Sequence, residues 1–453
     1  MNQNFIDDVT AALNAAIETG TLTGWSLNAT ESRSWQKLFS SPDGATLHCH
    51  QSRRVDGEAY KLSVYVPSEN EGMVGTAMLD LVSYLPIPGQ IDEAVSLATG
   101  SQNKAWDLAK PPTEEPQSVE TCDPDVRDTP EDVAAQIEQQ FTSAFAATDG
   151  CALNSAELFV NYSISAQTNS EGLRYKTELS ELYLEAAMEK AGQENDKEVH
   201  EHTTSVTVAD LNVKSFVEEA ALQVATLGDS AEPATQDGAT ILIEKDALSQ
   251  MLDAVLSQLN CLNEYIKVPF LKIGDTFGGG EGDALNLSLD PTIPCMVLSS
   301  AYAIDGLPAQ GGTLIENNAV KNRVIGNRFG QYLGLEPNGL SGNLVVQPGT
   351  LGTEDFQGLE YTEIIKFSSL LIDAQKLTWS SEIKLGKHVA ADGTVTLVKG
   401  GVVSGNLKDN FTNCKLSSKI GTVNVPKSSY APPLGYQGPD AMLITKGVSI
   451  AGK

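Results

Sequence analysis

Apolar residues recur at helical spacing in several stretches of the chain. Phe5, Val9, Leu13, Ala16 and Ile17 form one stripe, which predicts an amphipathic opening helix. Val133, Ile137, Phe141, Ala144 and Phe145 form a second. Thr129 is placed to cap that helix, Pro130 suits its first position, and Glu131 and Asp132 favour its positive end. Asp210 can cap another, with Leu211, Phe216, Val217 and Ala220 along one side. The cleanest pattern is Leu248, Met251, Leu252, Val255, Leu256 and Leu259, a helix over 246–260. Thr240-Ile241-Leu242-Ile243, a short apolar strand, feeds directly into it.

Elsewhere the period is two. Residues 45–66 read as two strands joined near Asp56-Gly57, and 156–188 as antiparallel strands turning at Asn169-Ser170-Glu171-Gly172. Beyond about residue 270, Gly and Pro become dense and short apolar runs such as CMVLSSAYAI, GNLVVQPGT, GTVTLVKGGVVSG and AMLITKGVSIAG alternate with turns, which predicts a β-rich region. Polar stretches at 104–128 and 188–203 read as solvated breaks. The fold class is therefore α+β: a mixed N-terminal α/β domain over 1–205, with a polar loop around 104–128, and a larger β-rich C-terminal domain over 206–453.

Composition narrows the partners. Lys plus Arg is 30 against 59 Asp plus Glu, a net charge of −29. Such a surface repels phosphate backbones and anionic lipid heads, which argues against nucleic acid and favours a neutral or basic peptide or a protein subunit. No run reaches the roughly 18 apolar residues of a membrane span. Asp7, Asp8 and Glu18 stand where a secretory signal would carry Lys or Arg, and the six cysteines are scattered, so a reducing, cytoplasmic setting is expected.

Candidate chemistry is sparse. The histidines are His48, His50, His200, His202 and His388. On strands, His48 and His50 would share a face with Cys49 turned away, and His200 and His202 would do the same about Glu201. Two imidazoles are too few for a zinc site, and partly exposed strand residues are the simpler reading of both pairs. Gly278-Gly279-Gly280-Glu281-Gly282 lacks the Lys and Ser/Thr of a phosphate cradle, and Glu281 and Asp283 would repel phosphate; it reads as a flexible loop able to serve as a lid. No GxSxG elbow is present.

The order of several short motifs resembles the TldD/PmbA family, whose PmbA branch is also called TldE. Asn169-Ser170-Glu171-Gly172 is similar to its NSEG turn. Asp290-Pro291, Asp305-Gly306 and Leu314-Ile315-Glu316 resemble its DDP, D.EG and LIE run. Gly342-Asn343-Leu344 with Pro348-Gly349-Thr350, then Gly405-Asn406-Leu407, then the closing stretch from Ile444 to Gly452, resemble its later segments. TldD-like members are zinc peptidases with HExxxH on a helix after a strand and a late cysteine. Here Leu252, Asp253 and Ser257 stand at the motif's His, Glu and His positions, and no cysteine follows Cys414, including in a loop expected at 435–440. A hydrocarbon, a lone carboxylate and a hydroxyl make a poor host for zinc, and core packing is the plainer reading of this helix. The resemblance thus implies a PmbA/TldE-like chain with no catalytic residues, metal ligands or cofactor of its own. It implies a non-catalytic subunit paired with a TldD-like zinc peptidase, acting on peptides or unfolded segments, with exposed strand edges able to hold an extended peptide. The alternatives are a homodimeric binding module without peptidase activity, and an independent hydrolase with an unrecognised site.

Overall fold

The computed structural model describes residues 1–41, 46–192, 198–227, 230–425 and 432–453; the centre of the polar break read at 188–203, and Ala45 at the start of the stretch read as two strands, lie outside them. The first half runs α1 (Gln3–Glu18), β1 (Gly24–Ser40), β2 (His48–Pro67), β3 (Met73–Leu81), α2 (Ile87–Thr99), β4 (Gln102–Lys104), α3 (Pro124–Asp128), α4 (Pro130–Ala146), β5 (Cys151–Asn169), β6 (Arg174–Lys190), β7 (Val199–Ser205) and α5 (Val213–Leu227). Its strands form one sheet in the order β4-β3-β2-β1-β5-β6-β7, antiparallel throughout.

The pleat divides this sheet into two unlike faces. Trp25, Leu27 and Ala29 of β1 are buried with Phe5, Val9 and Leu13 of α1 and Ala94 and Ala98 of α2. Phe39 further along β1 is buried with Ile137 and Phe141 of α4 and Val217 and Ala220 of α5. α5 thus packs with the first sheet. The alternate positions are polar: Asn28, Thr30, Ser32 and Ser34 of β1 lie opposite Gln167, Ser165, Ser163 and Asn161 of β5.

The second half runs β8 (Gln236–Asp237), β9 (Ile241–Glu244), α6 (Lys245–Gln258), α7 (Cys261–Tyr265), β10 (Leu287–Asp290), β11 (Gly312–Glu316), β12 (Ala319–Val320), α8 (Asn327–Leu333), β13 (Asn343–Val346), β14 (Tyr361–Phe367), β15 (Leu371–Asp373), β16 (Thr378–Val389), β17 (Val395–Asn406), α9 (Leu407–Thr412), β18 (Cys414–Leu416), β19 (Ile420–Val425), β20 (Leu434–Pro439), β21 (Ala441–Ile444) and β22 (Val448–Ala451). One sheet has the order β12-β11-β10-β13-β20-β19; the other has β18-β21-β9-β14-β16-β17-β22-β8, with β15 beside β16. α6 shares one core with both: Leu248, Met251, Leu252 and Val255 are fully buried among Ile241, Leu287, Leu344 and Tyr436. Each such side chain contributes roughly 1.5–3 kcal/mol. No helix among the described residues is long and apolar enough to cross a membrane.

The α+β class stands, but several local expectations do not. Asp56-Gly57 is not a turn: β2 runs unbroken through it, with Arg33 opposite Asp56 and Ser32 opposite Gly57. A long partner strand, β1, supplies hydrogen bonds that outweigh the local turn preference. CMVLSSAYAI is an irregular segment rather than a strand. Its backbone is held by side-chain amides: Val297 N–H donates to Asn424 Oδ1 (2.8 Å) and Leu298 N–H to Asn343 Oδ1 (3.1 Å), and Cys295 has φ +55°. Thr129 makes no side-chain cap; its hydroxyl donates back to the Asp125 carbonyl. Asn212, not Asp210, receives an N–H of α5, from Ser215 (3.2 Å). The stretch at 435–440 is largely strand β20. The triple-glycine run is a packed turn rather than a free lid. A Cβ on Gly280 would lie 2.7 Å from the Thr412 carbonyl oxygen, and Asp283 N–H donates to the Cys414 carbonyl (2.8 Å).

Candidate functional site

The polar face of the first sheet looks across a cleft of about 840 Å³ toward the second half of the chain. Asn28, Ser165, Gln167, Tyr175 and Thr177 form its floor. Opposite lie Leu256, Asn260 and Cys261 at the end of α6 and the start of α7, with residues 297–300, 302–305 and 324–329. Strand alternation carries the floor, so its polar groups pair with one another: Asn28 donates to Gln167 Oε1 (3.0 Å), and the Thr30 and Ser165 hydroxyls meet at 2.9 Å.

Two aromatic contacts join the walls. Tyr175 of β6 stacks on Tyr302 with centroids 4.1 Å apart and planes 12° apart. Burial pushes the Tyr175 hydroxyl up to about 12, and the Asp305 carboxylate beside it acts in the same direction, so it stays a neutral donor. Asp305 accepts from the Asn327 N–H at the start of α8. The second contact is a clamp. The Arg328 guanidinium lies 4.3 Å from the Trp106 ring centroid and donates to Asn103 Oδ1 and Tyr332 Oη, both at 3.0 Å. Lys104 Nζ donates to the Tyr332 carbonyl (2.7 Å), and Asn169 Nδ2 to the Ala109 carbonyl (2.8 Å). The start of the polar stretch at 104–128 is thus a strap pinned to both walls.

The recognised motifs are supports of this cleft. Asn169 Oδ1 accepts from Glu171 and Leu173 N–H (3.0 and 3.1 Å), which closes the turn where Gly172 sits at φ +87°. Asn343, fully buried, donates to the Asp290 carbonyl (3.1 Å) and Ser299 Oγ (2.8 Å) while holding Leu298. Gly342, at φ +116°, passes so close to Asp290 that a Cβ would lie 2.4 Å from its carbonyl carbon.

Leu252 is fully buried in the core. Ser257 donates its hydroxyl to the Ala254 carbonyl (2.9 Å), and burial pushes the Asp253 carboxyl above its ordinary value. Cys414, the last cysteine, is buried, and desolvation holds its thiol up at about 12. These residues do not fit zinc: one has no donor atom, one is engaged with its own helix, and the thiol resists ionisation. No group of three or more His, Cys, Asp or Glu side chains among the described residues is arranged to hold a metal ion.

The histidine pairs are separate from the cleft. His48 and His50 are exposed, and a bulge opposite Leu38 and Phe39 leaves His50 unpaired, which breaks the strict alternation expected there. His200 and His202 line a second cavity of about 610 Å³ with Glu244, Asp246 and Lys366. No group of three or more metal-ligating side chains forms around them among the described residues. His200 approaches Glu185 (3.6 Å), whereas His202, itself exposed, stacks on Tyr183. Lys366 pairs with Glu201 and donates to the His200 carbonyl (2.6 Å).

Glu181, beside Asn161 on the polar face of the first sheet, was not singled out by sequence. Burial raises its carboxyl to about 7, partly offset by the Asn161 hydrogen bond. Its position in the polar register of β6 was the available signal.

Residues 236–442 match the profile of the PmbA/TldA metallopeptidase C-terminal domain. Solved structures share the fold over nearly the whole chain. A proposed modulator of DNA gyrase from Bacteroides thetaiotaomicron VPI-5482 has a TM-score of 0.78 at 16% identity, covering 100% of both chains. TldE from Thermococcus kodakarensis has a TM-score of 0.76 at 14% identity, covering 97% of this chain and 100% of its own. A second protein described as a proposed gyrase modulator, from Thermotoga maritima MSB8, has a TM-score of 0.75 at 16% identity, with both chains covered fully. At these identities the likeness speaks to fold. No curated protein matches the sequence.

Proposed function

We propose, from the premise that this chain belongs to the TldD/PmbA/TldE family of peptidase-related proteins, that it is the non-catalytic subunit of a TldD-like metallopeptidase pair acting on peptides or unfolded segments. The observation that carries this reading is the contrast at α6. The motif positions Leu252 and Ser257 are spent on packing and on a local hydrogen bond, while the cleft that Leu256 borders remains open. In this reading the chain walls and holds substrate rather than cutting it. The floor offers hydroxyl and amide groups to a peptide backbone, and the Tyr175–Tyr302 stack offers apolar contact. The charge of −29 favours neutral or basic segments.

The test mixes the purified chain with a TldD-like zinc subunit and an unstructured peptide. Hydrolysis is expected only when both chains are present. Cleavage by this chain alone, abolished by a chelator, would refute the proposal. A homodimeric peptide-binding role without peptidase activity is the outcome if no TldD-like subunit associates with it.

A further inference from the structure

The edge of the first sheet points to a contact between two copies of this chain. β2 pairs with β1 along nearly its whole length, but β3 covers its other edge only from Tyr60 onward, where Tyr60 faces Leu81. Residues 48–56, 58 and 59 are exposed, and no other described segment pairs with them. A long, open strand edge is a template for another strand, and folded proteins rarely leave one bare. Neither Pro nor Lys interrupts residues 48–59.

The charge order along the edge is what selects the occupant. It reads Arg53-Arg54-Val55-Asp56-Gly57-Glu58, basic before Val55 and acidic after it. Antiparallel strands related by a two-fold axis pair each residue with the one mirrored through the axis. With Val55 on the axis, Arg54 of each copy meets Asp56 of the other, and Ser52 meets Glu58. Moving the axis to Arg54 sets arginines opposite each other. Moving it to Asp56 pairs Arg54 with Glu58 but sets two aspartates directly opposite each other at the axis, and moving it to Gly57 sets Asp56 against Glu58. Like charges directly opposite destabilise a sheet, so the Val55 register is favoured over its neighbours. In the single chain Arg54 lies over the Trp35 ring (4.9 Å) and reaches Asp56 at 2.9 Å, so both charged groups already stand on one face, about half exposed. Val55, 47% exposed, would be covered at the axis.

We propose that two copies associate antiparallel through residues 51–59 about Val55, continuing the sheet across both molecules. This edge adjoins residues 30–38 of β1, beyond the cleft-floor residue Asn28, so it leaves the cleft open and does not depend on the peptidase reading.

The test uses the full chain in sedimentation analysis at micromolar concentration. Wild type is expected to be a dimer. Arg54→Glu and Asp56→Arg, each alone, oppose like charges twice and should weaken the dimer by about tenfold or more. An equimolar mixture of the two variants should dimerise again. The introduced glutamate of one chain then meets the introduced arginine of the other, and the native Asp56 of the first meets the native Arg54 of the second. That rescue cannot arise from the Arg54–Asp56 pair within one chain, which stays broken in both variants. Amide exchange of residues 51–59 should slow as wild-type concentration rises. A monomeric wild type overturns the proposal, including one that becomes dimeric only with a TldD-like chain or that binds an extended peptide at this edge. So does a dimer indifferent to both substitutions.

Discussion

α6 and the sheet face across the cleft border one space and have opposite chemistry. The helix buries Leu248, Met251, Leu252 and Val255 completely, and its one hydroxyl at a motif position bonds its own backbone. The sheet face keeps Asn28, Thr30, Ser165 and Gln167 in mutual hydrogen bonds, with Glu181 further along. The helix is committed to the core of the second half. The polar strand face is under no such demand, because the other face of the same strands carries the packing. Polarity kept there points to use rather than to stability.

The largest effect expected from this contrast is at Leu252. Leu252→Ala should cost about 3 kcal/mol in chemical denaturation, from lost transfer energy and an unfilled cavity. A loss under about 1 kcal/mol would mean that the helix is not packed as described. On the same wall as α6, Asn343→Ala strands Leu298 N–H and the Asp290 carbonyl, and should cost about 2 kcal/mol. Because Asn343 ties residues that line the cleft, peptide affinity should fall as well, whereas Leu252→Ala should leave affinity unchanged once the protein is folded.

Glu181 gives the contrast a pH dependence. Its folded pKa of about 7 lies above the ordinary 4.5, so the folded state holds the proton more tightly. The resulting stability is fully present below about pH 4.5 and is lost as pH rises through about 7. Glu181→Gln should therefore be nearly neutral at pH 5 and stabilising by roughly 1–2 kcal/mol at pH 8. Thermal melts at the two pH values read this directly; an equal shift at both would show that the carboxyl is not desolvated.

Much of this was legible along the chain. α6 and the β5–β6 turn follow from apolar period and Asn-Ser-Glu-Gly chemistry, both set within a few residues. What escaped depends on distant partners. Trp106 and Arg328 lie far apart in sequence, so a stretch rich in Pro and Glu looked solvated when its start is a strap. The run at 295–304 is apolar enough for a strand, yet Asn343 and Asn424 satisfy its backbone from elsewhere. Asp56-Gly57 has the composition of a turn, and only the length of β1 holds it extended.

Ser257 offers the smallest and sharpest comparison. The sequence resemblance places this residue where TldD-like peptidases would carry a ligand, and here the hydroxyl donates to Ala254 within the same helix. Such back-bonding adds little to helix stability, and alanine has the higher helix propensity. Ser257→Ala should thus change stability by no more than about 0.5 kcal/mol, in the stabilising direction. The same substitution should leave peptide hydrolysis by the mixed pair at its wild-type rate. A marked loss of hydrolysis with stability intact would place Ser257 against the substrate.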